Sequence, residues 1–209
     1  MKIESDSIAD GGRIPGEFCF CLMHESSRVC LGGNRNPHLR WAEVPTGTRS
    51  FCLIVHDPDV PSVGDDVNQE GRSVPASLPR VDFFHWVVAD IPPDVTEVAA
   101  GTFSAAVTPR GKSGPTGPLG TRQGINDYTA WFSGDADMSG DYYGYDGPCP
   151  PWNDERPHRY VFTVFALDVG QLALPARFSG NELRAAMAGH VLADAALTGR
   201  YTLNPAVNL

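Results

Sequence analysis

No run approaching the ~18 apolar residues of a membrane-spanning helix occurs in this chain. Basic residues are scarce and scattered. Lys plus Arg number 16 against 25 Asp plus Glu, for a formal net charge of −9. Without a clustered basic face there is no electrostatic footprint for a nucleic-acid groove. The start, MKIESDSIADGGRIPG, has acids where a signal peptide carries a basic start and an apolar stretch. The expected location is therefore cytoplasmic, with no integral membrane association.

Motifs of catalysis and cofactor binding are missing as well. There is no G-x-S-x-G elbow, no Walker loop, no H-E-x-x-H and no G-x-G-x-x-G. The GKSGPTG stretch at 111–117 lacks the spacing and the strand–loop–helix frame of a phosphate loop. No C-x-x-C exists to hold zinc. Asp135, Asp137 and Asp141 do not match the spacing of an EF-hand. No catalytic set, metal site or cofactor is expected. The five cysteines, Cys19, Cys21, Cys30, Cys52 and Cys149, are odd in number. A chain this long does not depend on staples, so they read as core thiols.

What is present is enough for one folded unit. Of 209 residues, 42% are hydrophobic and 10% aromatic, which supplies a sizeable core. With no repeat and no sharp shift in composition, residues 1–209 read as a single domain. Strands are expected at 17–23, where Cys19 and Cys21 would share a face, at 51–55, at 81–89 and at 159–166. Leu39 and Trp41 alternate toward a core, a short strand is expected within 96–106, and YTL at 201–203 reads as a last one. The 51–55 and 81–89 runs lack strict alternation, as for strands covered on both faces. The 62–80 stretch and most of 108–147 read as loops. A helix is expected at 181–196, capped by Ser179 with Glu182, striped by Leu183, Met187 and Val191, and stopped by Gly199. Strands with few helical crossovers imply a mostly β, antiparallel, sandwich-like fold.

Three segments carry residues fit for chemistry. HDPDVP ends an apolar strand with Asp57 and Asp59, stiffened by Pro58. Those carboxylates either face a pocket or cap nearby backbone N–H groups as an Asx turn. His85 sits inside the apolar FFHWVV run and needs a partner if buried, as a core histidine or a functional one. In GPCPPWNDERPHRY, Gly147, Pro148, Pro150 and Pro151 define a rigid loop, and His158 and Tyr160 follow with the same facing. Arg156, His158 and Arg159 add a local basic cluster that suits a small anion.

The ordered set NPHLRW, HDPDVP, HW and GPCPP…HRY resembles the phosphatidylethanolamine-binding proteins, and within them the bacterial branch described as Raf-kinase-inhibitor-like. The resemblance covers about 14–203. It implies a large central antiparallel sheet, a smaller flanking sheet, and peripheral helices including one near the C-terminus. It also implies a pocket for a phosphate- or carboxylate-bearing ligand such as phosphoethanolamine. Matched motif by motif, its ligand-binding residues are Asp57, Asp59, His85, Gly147, Pro148, Pro150, His158 and Tyr160. Histidine ring N–H groups and the Tyr160 hydroxyl would donate to the ligand, with Asp57 orienting an imidazole. The long 62–80 segment, Trp152 after the proline pair, and the WFSGDADMSGDYYGYD stretch depart from the pattern and would reshape the pocket mouth. Relatives of this type include homodimers. Three functions compete: a binding or regulatory module, an acid–base hydrolase using Asp57, His85 and His158, and a protein-interaction scaffold with a vestigial pocket.

Overall fold

The computed structural model describes residues 1–209. Its centre is a five-stranded antiparallel sheet in the order β10-β9-β5-β6-β8. These strands are β5 (Ser50–Pro61), β6 (Arg80–Ile91), β8 (Arg122–Gln123), β9 (His158–Leu167) and β10 (Val191–Tyr201). A three-stranded sheet of β1 (Lys2–Glu4), β4 (Leu39–Ala42) and β7 (Glu97–Val98) flanks it, in the order β1-β4-β7. A separate hairpin joins β2 (Cys21–His24) to β3 (Arg28–Leu31). Two short helices, α1 (Tyr128–Trp131) and α2 (Gly180–Met187), complete the fold. No helix is long and apolar enough to cross a membrane.

Both faces of the central strands are covered, which is why their sequences run apolar without alternation. Phe51, Leu53 and Val55 of β5 join Trp86 and Val88 of β6 and Trp41 of β4 in the main core between the sheets. Cys52, Ile54, Val87 and Ala89 face the other way, onto Leu183 and Met187 of α2 and onto Phe178. Leu39 and Trp41 are buried while Arg40 and Ala42 are exposed, as their alternation predicts.

The segment 181–196 is not one helix. The capping box forms as expected: Ser179 Oγ accepts from the Glu182 N–H at 3.3 Å, and Glu182 Oε2 accepts from the Ser179 N–H at 2.7 Å. Yet α2 ends at Met187, Gly189 turns the chain at φ +83°, and Val191 begins β10. The alanines of LADAALTGRY favour a helix locally, but pairing along the whole of β9 overrides them. Gly199, expected as the helix stop, lies inside β10. A Cβ there would meet Ile14 Cγ1 at 2.4 Å, so glycine permits the close packing.

The first expected strand is also shorter. Residues Gly16–Phe18 form a 3₁₀ turn and β2 starts at Cys21, so Cys19 and Cys21 do not share a strand face. Cys21 is not a free thiol either. It forms a disulfide with Cys149, while Cys19, Cys30 and Cys52 stay free. Sequence separation hid this pair, because the 147–151 loop packs back onto residues 18–21. Such bonds persist in oxidising compartments, which weighs against the cytoplasmic expectation.

Candidate functional site

Adjacent strands of the central sheet bring the motifs together. Asp57 of β5 pairs with Phe83 of β6, and His56 of β5 with Val161 of β9. His85 therefore stands two residues along β6 from Asp57's partner, and His158 and Tyr160 open β9 beside it. All four side chains are buried at one end of the sheet.

Asp57 serves two partners. Its Oδ1 accepts from the Asp59 N–H at 2.8 Å, an Asx-type turn. Its Oδ2 accepts from His158 Nδ1 at 2.7 Å. His158 Nε2 lies 3.1 Å from Asp154 Oδ2, and Arg80 forks onto the same carboxylate. The result is a buried chain of alternating charge: Arg80, Asp154, His158, Asp57. Burial alone would lower the His158 pKa, but the Asp57 charge and the bonds to Asp154 and Asp57 outweigh it and hold the ring up at about 9. His158 is thus an imidazolium at neutral pH, with both N–H groups spent on carboxylates.

His85 is the opposite case. Its Nδ1 donates to the Asp146 carbonyl at 2.7 Å, and the Asp146 N–H returns a bond to the His85 carbonyl at 3.0 Å. Burial pushes its pKa down to about 4, against the pull of Asp57. The ring is neutral at pH 7, and its Nε2 lone pair has no protein partner. The Tyr160 hydroxyl is also buried, beside the Asp57 carboxylate but without a well-formed hydrogen bond. Its ring packs edge-on against His85 at 5.1 Å.

These groups form the floor of a cavity of about 380 Å³. Its walls are apolar: Phe83, Tyr128, Phe132, Met138, Val60 and Val67. Pro150 and the Cys21–Cys149 bond close one side. Three of the expected residues stand behind the floor instead of lining it. Asp59 is clamped by Arg159, at 2.8 and 3.0 Å, and by Arg156 at 3.3 Å. Burial would raise its pKa, but Arg159 holds the carboxyl below the usual range. Gly147 donates to Asn34 Oδ1 at 2.8 Å and accepts from the Tyr128 hydroxyl at 2.8 Å. A Cβ at Gly147 would sit 2.1 Å from the Phe18 carbonyl oxygen, which requires glycine. The Pro148 carbonyl accepts from Phe20 and Cys21 N–H groups at 3.0 and 3.1 Å.

Residues not expected from the sequence complete the site. Asp154 and Arg80 extend the charge chain. Asp146, fully buried, accepts from Asn34 at 2.8 Å and Asn126 at 2.7 Å and pairs with Lys112 at 2.9 Å, fixing the backbone that holds His85. Asp154 lies four residues before His158, a spacing within reach of a ring nitrogen; nothing local announces Asp146. Part of the 62–80 segment forms a wall, through Val63 and Val67. It is pinned by Asn153, whose Nδ2 bonds the carbonyls of Asp66 and Arg72 at 2.8 and 3.1 Å. Trp152 does not enlarge the pocket rim; it turns to the hairpin, where Arg28 lies over its ring at 5.1 Å.

The family model for phosphatidylethanolamine-binding proteins matches residues 4–202. The chain belongs to that family. It is 34% identical over 203 residues to a UPF0098 protein of Aquifex aeolicus, covering 96% of this chain and 88% of that one. It is 30% identical to YbhB of Escherichia coli, covering 97% of this chain and all of that one (100%). The crystal structure of Escherichia coli YbcL, described as a new member of the mammalian family, superposes with a TM-score of 0.68 at 27% identity, over 96% of this chain and 97% of that one. CT736 of Chlamydia trachomatis, a homolog of the same family, gives 0.63 at 28%, over 96% and 95%.

Proposed function

We propose that this protein is a binding or regulatory module that takes a small phosphate- or carboxylate-bearing ligand, with phosphoethanolamine the first candidate. The observation that carries the reading is the free His85 Nε2 at the floor of a preformed cavity, next to a buried Tyr160 hydroxyl that lies beside the Asp57 carboxylate without a well-formed hydrogen bond. A buried hydroxyl left unpaired costs about 1–3 kcal/mol, and a ligand oxygen would recover it. Asp57 and His158 set the floor, Pro150 helps close the side, and Asp59, Gly147 and Pro148 support them from behind.

Turnover is not part of this reading. No serine, threonine or cysteine side chain is hydrogen-bonded to His85 or His158, whose ring N–H groups are spent on Asp146, Asp57 and Asp154. His85 Nε2 could serve as a base, but covalent acyl or phosphoryl transfer also needs a nucleophilic side chain aligned with it, and none is. We place the chain in the branch described as Raf-kinase-inhibitor-like on the order of its motifs alone; kinase inhibition itself is not proposed. Native mass spectrometry of purified protein, followed by titration with phosphoethanolamine, tests the reading. Retained or saturable one-to-one ligand supports it. No ligand at millimolar concentration, or steady turnover of phosphoesters, overturns it.

A further inference from the structure

The basic cluster at 156–159 is only partly used by the cavity. His158 and Tyr160 face the floor, so Arg159 between them points to the opposite face of the central sheet, the face that carries α2. There Arg159 of β9 stands directly opposite Arg200 of β10. Like charges in that position repel. Arg159 is forked onto Asp59 at 2.8 and 3.0 Å, but Arg200 meets no carboxylate. Arg13, bridged by its backbone to Arg200 on the other side, brings a further cation and lies over the Tyr201 ring at 5.9 Å.

The positive charge continues across the sheet. His56 of β5 pairs with Val161, two residues from Arg159, and extends the outward alternation of Cys52 and Ile54. Its ring lies beside Phe84 at 6.3 Å, and Arg184 of α2 stacks on that same Phe84 ring at 4.6 Å. His56 Nδ1 is buried without a partner, so the opposite edge of the ring, at Nε2, is the one that meets solvent. Burial lowers the His56 pKa, and Arg184 and Arg159 lower it further against Asp82 and Asp57. With Arg156, five arginines stand here against three carboxylates: Asp59, Asp82 on Arg184, and Asp10 on the Thr198 N–H. The rest of a chain with net charge −9 is correspondingly acidic.

We propose that this outer face, from Arg184 across His56 and Arg159 to Arg200, docks an acidic segment of a partner protein, with one of its carboxylates bridging Arg159 and Arg200. This goes beyond the binding reading above, because the face lies across the sheet from the cavity. Neighbouring strands stand about 4.8 Å apart, so a row over three strands and a helix exceeds the reach of one oxyanion. An extended acidic peptide, with side chains on one side about 7 Å apart, presents carboxylates in series. Nucleic acid fits less well. The chain's overall charge repels a polyanion, and the exposed Trp131 lines the cavity, which leaves this face no exposed ring for a base to stack on.

The test is a titration of isotopically labelled intact protein with a hexaglutamate peptide, followed by amide NMR shifts at ionic strengths of about 0.01 and 0.15 M. Saturable shifts are expected at Arg159, Arg184 and Arg200 with the cavity residues unmoved, and affinity should fall severalfold at the higher salt. R200Q is expected to weaken peptide binding about twofold to fivefold, while its melting temperature holds or rises because a like-charge contact is removed. Saturating phosphoethanolamine should leave peptide binding unchanged. No shifts at either salt, shifts centred on the cavity, displacement by phosphoethanolamine, or unaltered affinity in R200Q overturns the inference. Tighter binding of a thymidine hexanucleotide than of the peptide also overturns it, in favour of a nucleic-acid surface. R184Q, at an exposed helix position, carries the same comparison if R200Q fails to fold.

Discussion

Tyr160 is the residue whose removal isolates binding from folding. Tyr160→Phe deletes a hydroxyl that lies beside Asp57 without a well-formed hydrogen bond, so the melting temperature should change little while ligand affinity falls. A hydrogen bond to a charged group contributes about 1.5–3 kcal/mol, or roughly 10- to 150-fold. His158 behaves differently. His158→Ala leaves Asp57 and Asp154 buried without their shared cation and should cost about 3–5 kcal/mol in denaturant unfolding. The two histidines also set opposite pH limits. The His158 pKa is raised to about 9, so its stabilisation is complete below its unfolded value, about 6.5, and is lost as pH rises toward 9. The His85 pKa is lowered to about 4, so the unfolded chain takes up its proton first and stability falls between about 6.5 and 4. Stability measured against pH should thus fall on both sides of about 6.5, with the acid limb weakened in H85N. The sequence made Asp57, His85, His158 and Tyr160 recognisable, because strand spacing and the motif order place them. It did not show which nitrogens are spent, and that detail leaves His158 with no free N–H and makes His85 Nε2 an acceptor.

At the level of elements, the 147–151 loop is held to residues 18–21 by backbone bonds from Phe20 and Cys21 and by the Cys21–Cys149 bond. The bond closes a span of 128 residues. Cys149→Ser should therefore lower unfolding stability by about 2–5 kcal/mol, and a reductant should do the same to the parent but not to the variant. The central strands were legible because two covered faces leave uninterrupted apolar runs. β10 was not, because LADAALTGRY is alanine-rich and its preceding capping box is real; only the partner strand decides its conformation. Gly199→Val tests that placement. On a helix end it would be mild, whereas inside β10 its side chain meets Ile14 and should cost about 1–3 kcal/mol.

For the whole molecule, the sheet carries a neutral histidine and a charged one side by side, at the floor of a cavity with largely apolar walls. The net charge of −9 makes the bulk field unfavourable to anions. Capture then depends on local pairing at the floor, with Arg80 and His158 offsetting Asp154 and Asp57, and Arg156 and Arg159 offsetting Asp59. Binding should accordingly be only weakly sensitive to salt, since buried pairs are little screened. The most direct measurement is a crystal structure of the protein grown with phosphoethanolamine. The account predicts a phosphoryl oxygen at hydrogen-bonding distance, about 2.6–3.0 Å, from the Tyr160 hydroxyl and a second close to His85 Nε2. An empty floor at saturating ligand, or a head group bound elsewhere on the surface, would contradict it.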